Sequence, residues 1–86
     1  MKTAEITLGL QNGLEARAIA IFVQMACQYD STIFVDYGSK KVNAKSIMGV
    51  MSLGVAEGDK LTLTVEGPDE DEAIEVLTDY LNGGKK

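Results

Sequence analysis

Two short segments of this 86-residue chain alternate strictly between apolar and polar side chains, and no other feature limits the fold as much. In Lys2–Leu8, Ala4, Ile6 and Leu8 point one way while Thr3, Glu5 and Thr7 point the other. In Lys60–Glu66, Leu61, Leu63 and Val65 line one side in the same manner. A period of two with one apolar side describes a strand in a sheet that is covered on one face and open on the other. The cover has to come from segments of helical period. Ala16 to about Gln28 contains no Gly or Pro and sets Ile19, Phe22, Val23 and Ala26 at helical spacing.

The remaining punctuation fills in the order. Gly9–Gly13 is a loop with Asn12-Gly13 as its turn. Ser31–Tyr37, rich in β-branched and aromatic residues, is a second strand. Gly38-Ser39 links it to a short third strand, Lys40–Asn43. Ser46–Leu53 is a short apolar helix bounded by Gly54. After Lys60–Glu66, Gly67-Pro68 breaks the strand, and Pro68 suits a first helical turn, where its missing N–H is not needed. The last helix is expected to bury Ala73, Val76, Leu77, Tyr80 and Leu81 and to stop at Gly83-Gly84, with Gly83–Lys86 fraying. The order β-α-β-β-α-β-α, with helices over a single apolar face, is a two-layer α+β fold. A chain of this length supports one core, so residues 1–86 are expected to form a single domain.

Composition narrows the chemistry. With 13 acidic and 8 basic residues the net charge is −5, which disfavours direct nucleic-acid binding through phosphates. Much of the excess sits in Glu66, Asp69, Glu70, Asp71, Glu72 and Glu75, whereas Lys40, Lys41 and Lys45 make the middle locally basic. The chain has no histidine, which removes a Ser-His triad, a histidine base, a histidine metal site and phosphohistidine chemistry together. Neither a cofactor nor a metal is expected. The one cysteine, Cys27, fits a reducing compartment and is expected to be a core or half-buried thiol. No apolar run is long enough to span a membrane, and Thr3, Glu5 and Thr7 interrupt the start where a signal peptide would be apolar. A cytoplasmic protein is the expectation.

Ser46 precedes the short apolar segment and reads as an N-cap whose hydroxyl accepts a first-turn amide. A phosphate there would face unpaired amides and the positive helix end, so the site can carry a signal without unfolding its host. Ile47, Met48, Val50, Met51 and Leu53 cannot all be buried by so short a helix. Either the domain covers most of them, or Met48 and Met51 form an adaptable exposed patch. Glu15 stands at the start of the first long helix, where a carboxylate pairs with the helix dipole. Arg17 is either a solvated helix residue or an anion clamp.

Glu15-Ala16-Arg17 before a helix, together with Val42-Asn43-Ala44-Lys45-Ser46-Ile47-Met48-Gly49-Val50-Met51-Ser52-Leu53, resembles the HPr family of small phosphocarriers over essentially the whole chain. The resemblance implies an open-faced β-sandwich, a four-stranded antiparallel sheet with three helices on one face. Phosphocarrier members of that family have a histidine at the position of Glu15, followed by Ala-Arg-Pro, where this chain has Ala18 for the proline. The resemblance further implies phosphorylation of Ser46 by HPr kinase/phosphorylase and corepressor binding to a LacI-type catabolite control protein. Lys40–Gly49 and Phe22-Val23-Gln24 are similar to a catabolite-repression branch that keeps the serine and carries glutamine for the histidine. On this likeness Ser46 is the phosphorylation site, Glu15, Ala16, Arg17, Ala20, Ile47, Met48 and Met51 form the partner surface, and the chain itself is not an enzyme. The alternative is a divergent phosphotransferase component acting through an acyl phosphate on Glu15, or with another partner. Such proteins occur as monomers or as strand-swapped homodimers.

Overall fold

The computed structural model describes residues 1–83. Its elements are β1 (Lys2–Thr7), α1 (Ala16–Cys27), β2 (Thr32–Tyr37), β3 (Lys40–Asn43), α2 (Ile47–Met51), β4 (Lys60–Glu66) and α3 (Glu70–Leu81). The four strands form one antiparallel sheet in the order β1-β4-β2-β3. The helices cover one face, with α3 against β1 and β4, and α1 against both α2 and α3. This is the α+β open-faced sandwich that the alternation and the resemblance imply.

Register explains why one face is dry. Ile6 pairs with Leu61, Ala4 with Leu63, Leu63 with Val35, and Val65 with Ile33. Opposed residues in an antiparallel pair share a face, so these apolar side chains form one continuous floor. Ile33, Val35, Leu63 and Val65 are fully buried. The other face carries Thr3, Glu5, Thr62, Thr64, Phe34 and Asp36. Onto the floor α1 lowers Ile19, Phe22, Val23 and Ala26, and α3 lowers Ala73, Leu77 and Leu81. Complete burial of a side chain such as Phe22 stabilises by about 2–3 kcal/mol. Leu63→Ala, at the centre of the floor, is the change most certain to break this arrangement, at about 2–5 kcal/mol.

Several local expectations are corrected by the packing. β1 ends at Thr7, yet Leu8 stays buried and donates its N–H to the Asp59 carbonyl at 2.8 Å. β2 begins at Thr32, because the Ser31 amide is diverted to the Asp69 carboxylate. The short helix spans only Ile47–Met51, with Ser46 as its N-cap. Pro68 lies outside α3, whose N-cap is Asp69. Val76 and Tyr80 are half-buried, and Ile74 packs against the core beside them. Gly83 does not fray, since its N–H reaches the Tyr80 carbonyl at 3.2 Å. The rest of the expected fraying tail, 84–86, lies outside the described residues. Cys27 is exposed, because it follows Ala26 by 100° of helical rotation and that step carries it off the buried stripe. The Asn12-Gly13 turn is present, with φ of 70° and 73°.

Candidate functional site

The site is built from the end of the β2–β3 hairpin. Asn43 closes a turn there: its side-chain oxygen accepts the Lys45 N–H at 2.8 Å, and its carbonyl accepts the Ser46 N–H at 3.0 Å. Ser46 follows in an extended conformation (φ −107°, ψ 112°). Its hydroxyl oxygen accepts the Gly49 N–H at 3.1 Å and its carbonyl accepts the Val50 N–H at 3.0 Å. That is the N-cap geometry, which satisfies one otherwise orphaned amide while leaving the exposed hydroxyl reachable from solvent.

Gly49 completes the cap, a role that the apolar spacing of Ile47–Leu53 does not reveal. A Cβ at Gly49 would lie 3.2 Å from Ser46 Oγ and 3.3 Å from Val42 Cβ, so a bare backbone is what lets the amide and the hydroxyl approach. Asn43 is a second such residue: an asparagine three residues before the serine is placed where its side chain can mimic a backbone turn. The far end of α2 is closed by the Ser52 hydroxyl, which donates to the Gly49 carbonyl at 2.7 Å.

One face of α2 is anchored and the other is bare. Val50 is 1% exposed, whereas Ile47, Met48 and Met51 are 47%, 82% and 52% exposed. Of the two readings the segment allowed, the exposed apolar patch is the one the fold adopts. On the neighbouring α1, Ala16, Arg17 and Ala20 are exposed as well. The packing of α1 on α2 therefore sets the two groups of candidate residues on adjoining elements.

Glu15 is the N-cap of α1 (φ −86°, ψ 176°), and its carbonyl accepts the Ile19 N–H at 2.8 Å. Its exposed carboxylate makes no cap hydrogen bond. No ion pair joins Glu15 to Arg17 among the described residues. Arg17 acts electrostatically on Tyr80: burial pushes that phenol up, and the Arg17 charge pulls it back. The basic middle of the chain is partly spent on structure. Lys45 Nζ donates to the Tyr29 carbonyl at 2.7 Å, Lys40 Nζ to the Ser52 carbonyl at 3.2 Å, and Lys41 lies 5.1 Å from the centre of the Phe34 ring. Among the described residues, no three metal-ligating side chains gather into a set, and no helix is long and apolar enough to cross a membrane.

An open-faced α+β sheet with an exposed N-cap serine on a short apolar helix defines the class. The chain belongs to the HPr family: the family described as PTS HPr component phosphorylation site matches residues 2–83. Among its relatives is the HPr-like protein Crh of Halalkalibacterium halodurans, 47% identical over 94% of this chain and 96% of that protein. The crystal structure of the phosphocarrier HPr from Bacillus anthracis superposes with a TM-score of 0.91 at 45% identity, covering 93% of this chain and 95% of that one. A crystal structure of the Bacillus subtilis catabolite repression protein Crh, described as a dimer with a swapping domain, is 47% identical. It gives a TM-score of 0.76 and covers 94% of this chain and 93% of that one.

Proposed function

We propose that this chain is a regulatory ligand of carbon catabolite repression, switched by phosphorylation of Ser46. HPr kinase/phosphorylase transfers the γ-phosphoryl group of ATP to the Ser46 oxygen, releasing ADP and the hydroxyl proton. The phosphorylated chain then binds a LacI-type catabolite control protein as its corepressor. The observation that carries the proposal is the Ser46 hydroxyl, exposed at a helix N-cap beside three exposed apolar side chains, in a chain with no histidine.

Physical chemistry supports each step. A phosphate adds a charge of about −1.5 to −2 and three acceptor oxygens. At Ser46 those oxygens face the first-turn amides of α2, so the Gly49 N–H passes from hydroxyl to phosphate without loss. Arg17 supplies the forked cation suited to an oxyanion, and Glu15, Ala16, Ala20, Ile47, Met48 and Met51 form the surface around it. Met side chains repack readily against a partner. The −5 charge argues that any action on genes runs through the partner and not through direct DNA contact. We place this activity in the cytoplasm, where ATP and the kinase are available. The proposal covers a monomer and a strand-swapped homodimer alike, because exchange of the edge strand β1 between copies would restore every β1–β4 pair.

Intact mass after incubation with HPr kinase/phosphorylase and ATP tests the proposal. One phosphate mapped to Ser46 and absent in Ser46→Ala is the expected result. An unmodified chain beside an active control enzyme would overturn it. Phosphoryl transfer from phosphoenolpyruvate through enzyme I, lost in Glu15→Gln, would assign a phosphotransferase role instead.

A further inference from the structure

A groove of about 550 Å³ lies between the N-terminal half of β1 and one side of α3, lined by elements that take no part in the serine site. Its wall on one side is Lys2, Thr3 and Ala4 of β1. β1 is an edge strand, hydrogen-bonded to β4 on one side only, so alternate N–H and C=O groups along it have no strand partner. On the other side α3 and its C-cap present Ile74, Thr78 and Asn82, spaced four residues apart along one face, with Glu75 and Asp79 a turn apart beside them. Thr78 Oγ1 and Asn82 Oδ1 are buried without a hydrogen-bond partner among the described residues, which is costly unless something supplies one.

We infer that this groove receives an extended peptide segment of another protein, bearing a Lys or Arg side chain, which adds to the sheet as a fifth strand beside β1. Main-chain pairing along the β1 edge supplies the alignment, and alternate side chains of the added strand point toward α3. An apolar one covers Ala4 and Ile74. A cationic one, two residues on, reaches the Glu75 and Asp79 carboxylates, which form no ion pair among the described residues. Lys2, which also lines the groove, pairs its ammonium with Asp71 at 3.2 Å and not with either of them. Charge also decides against a second copy of this chain. Antiparallel β1–β1 pairing centred on Ala4 would set Lys2 opposite Ile6 and Thr3 opposite Glu5, with no charge complement. It would also bring together two α3 helices that each carry Glu70, Asp71, Glu72, Glu75 and Asp79.

Titration of the ¹⁵N-labelled full chain with the capped peptide Val-Thr-Lys-Thr-Val, whose first, third and fifth side chains share one face, followed by amide shifts, tests the inference. Saturable shifts are expected at Lys2, Thr3, Ala4 and Thr78 and at the Asn82 side-chain amide. Glu75→Lys with Asp79→Lys is expected to weaken binding about tenfold, and N-methylation of alternate peptide residues to abolish it. Thr78→Val, nearly isosteric, should leave the spectrum dispersed and weaken binding, which separates recognition from folding. Absence of shifts at these positions, or equal binding by Val-Thr-Glu-Thr-Val or by the N-methylated peptide, would overturn the inference. Concentration-dependent shifts of the same amides without peptide would assign the groove to self-association and overturn it as well.

Discussion

Ser31 and Asp69 are joined twice through one oxygen: Asp69 Oδ1 accepts both the backbone N–H of Ser31, at 3.0 Å, and its hydroxyl proton. The other carboxylate oxygen takes the Asp30 N–H at 2.9 Å. The turn that leads into β2 is thus held to the N-terminus of α3 across 38 residues. The two segments are in close contact, since a Cβ at Gly67 would come within 2.6 Å of the Ser31 backbone.

These bonds make stability depend on pH with a definite sign. The Ser31 hydroxyl, followed by the Asp30 amide, holds the Asp69 carboxyl below the usual carboxylate range. A carboxyl whose folded pKa lies below its unfolded value contributes fully above about pH 4 and loses that contribution as pH falls through the folded pKa. Asp69→Asn is therefore expected to be less stable than the parent at pH 7, with the gap closing in acid. Urea unfolding of both chains at about pH 7 and about pH 3 measures it. A gap of equal size at both values would contradict the assignment.

Tyr37 and Asp59 form a second such tie, bounded on both sides. The phenol donates to Asp59 Oδ2 at 2.5 Å, and the same oxygen accepts the Ala56 N–H at 3.0 Å, so the hairpin is fastened to the loop before β4. The bond to Asp59 pushes the phenol up, and the phenol in turn holds Asp59 down. By linkage, the Asp59 share is lost as pH falls below about 4, and the Tyr37 share is lost as pH rises above about 10. The thermal midpoint of the parent should fall away on both flanks, and Tyr37→Phe should lower the plateau and soften both slopes. A variant whose profile merely shifts downward in parallel would show that the pair is not the cause.

Some of this architecture was legible because it is local, and some was hidden because it is not. Alternation in Lys2–Leu8 and Lys60–Glu66 gives strands whatever surrounds them, and the stripe Ile19, Phe22, Val23 and Ala26 is buried as its spacing requires. The Ser46 cap depends on three residues of chain and was readable for the same reason. Asp69 was not. Within an acidic run it looked like one more favourable charge at a helix start, and its partners lie 38 and 39 residues away. In α2 every face of the short segment is apolar, so only packing selects Val50 for the core and leaves Met48 outside. The sheet order β1-β4-β2-β3 follows from no periodicity either, because it is set by pairings between strands distant in sequence.

That division within α2 is measurable. Met48 is 82% exposed and Val50 is 1% exposed, two residues apart. Met48→Ser should change stability by no more than about 0.5 kcal/mol, while Val50→Ala should cost about 2 kcal/mol. If the exposed methionine serves a partner, Met48→Ser phosphorylated on Ser46 should lose affinity for the catabolite control protein while its unfolding curve stays in place. An equal loss of stability in both variants would mean that Met48 belongs to the core.

The contact between Ser46 and Gly49 predicts a coupling that neither residue shows alone. Ser46→Ala removes the cap and should cost about 1 kcal/mol. Gly49→Ala should gain up to about 1 kcal/mol from helix propensity, but the added methyl would sit 3.2 Å from Ser46 Oγ and 3.3 Å from Val42 Cβ, which offsets part of that gain. Once Ser46 is alanine the hydroxyl is gone, and the same Gly49→Ala change should recover more stability than it does beside serine. A double-mutant cycle by urea unfolding isolates the difference, with an expected coupling of at least about 0.5 kcal/mol. Strict additivity would mean that the glycine is needed only for the backbone of α2. Coupling of the expected sign would mean that Gly49 keeps room at the very oxygen that the proposed function assigns to the phosphate.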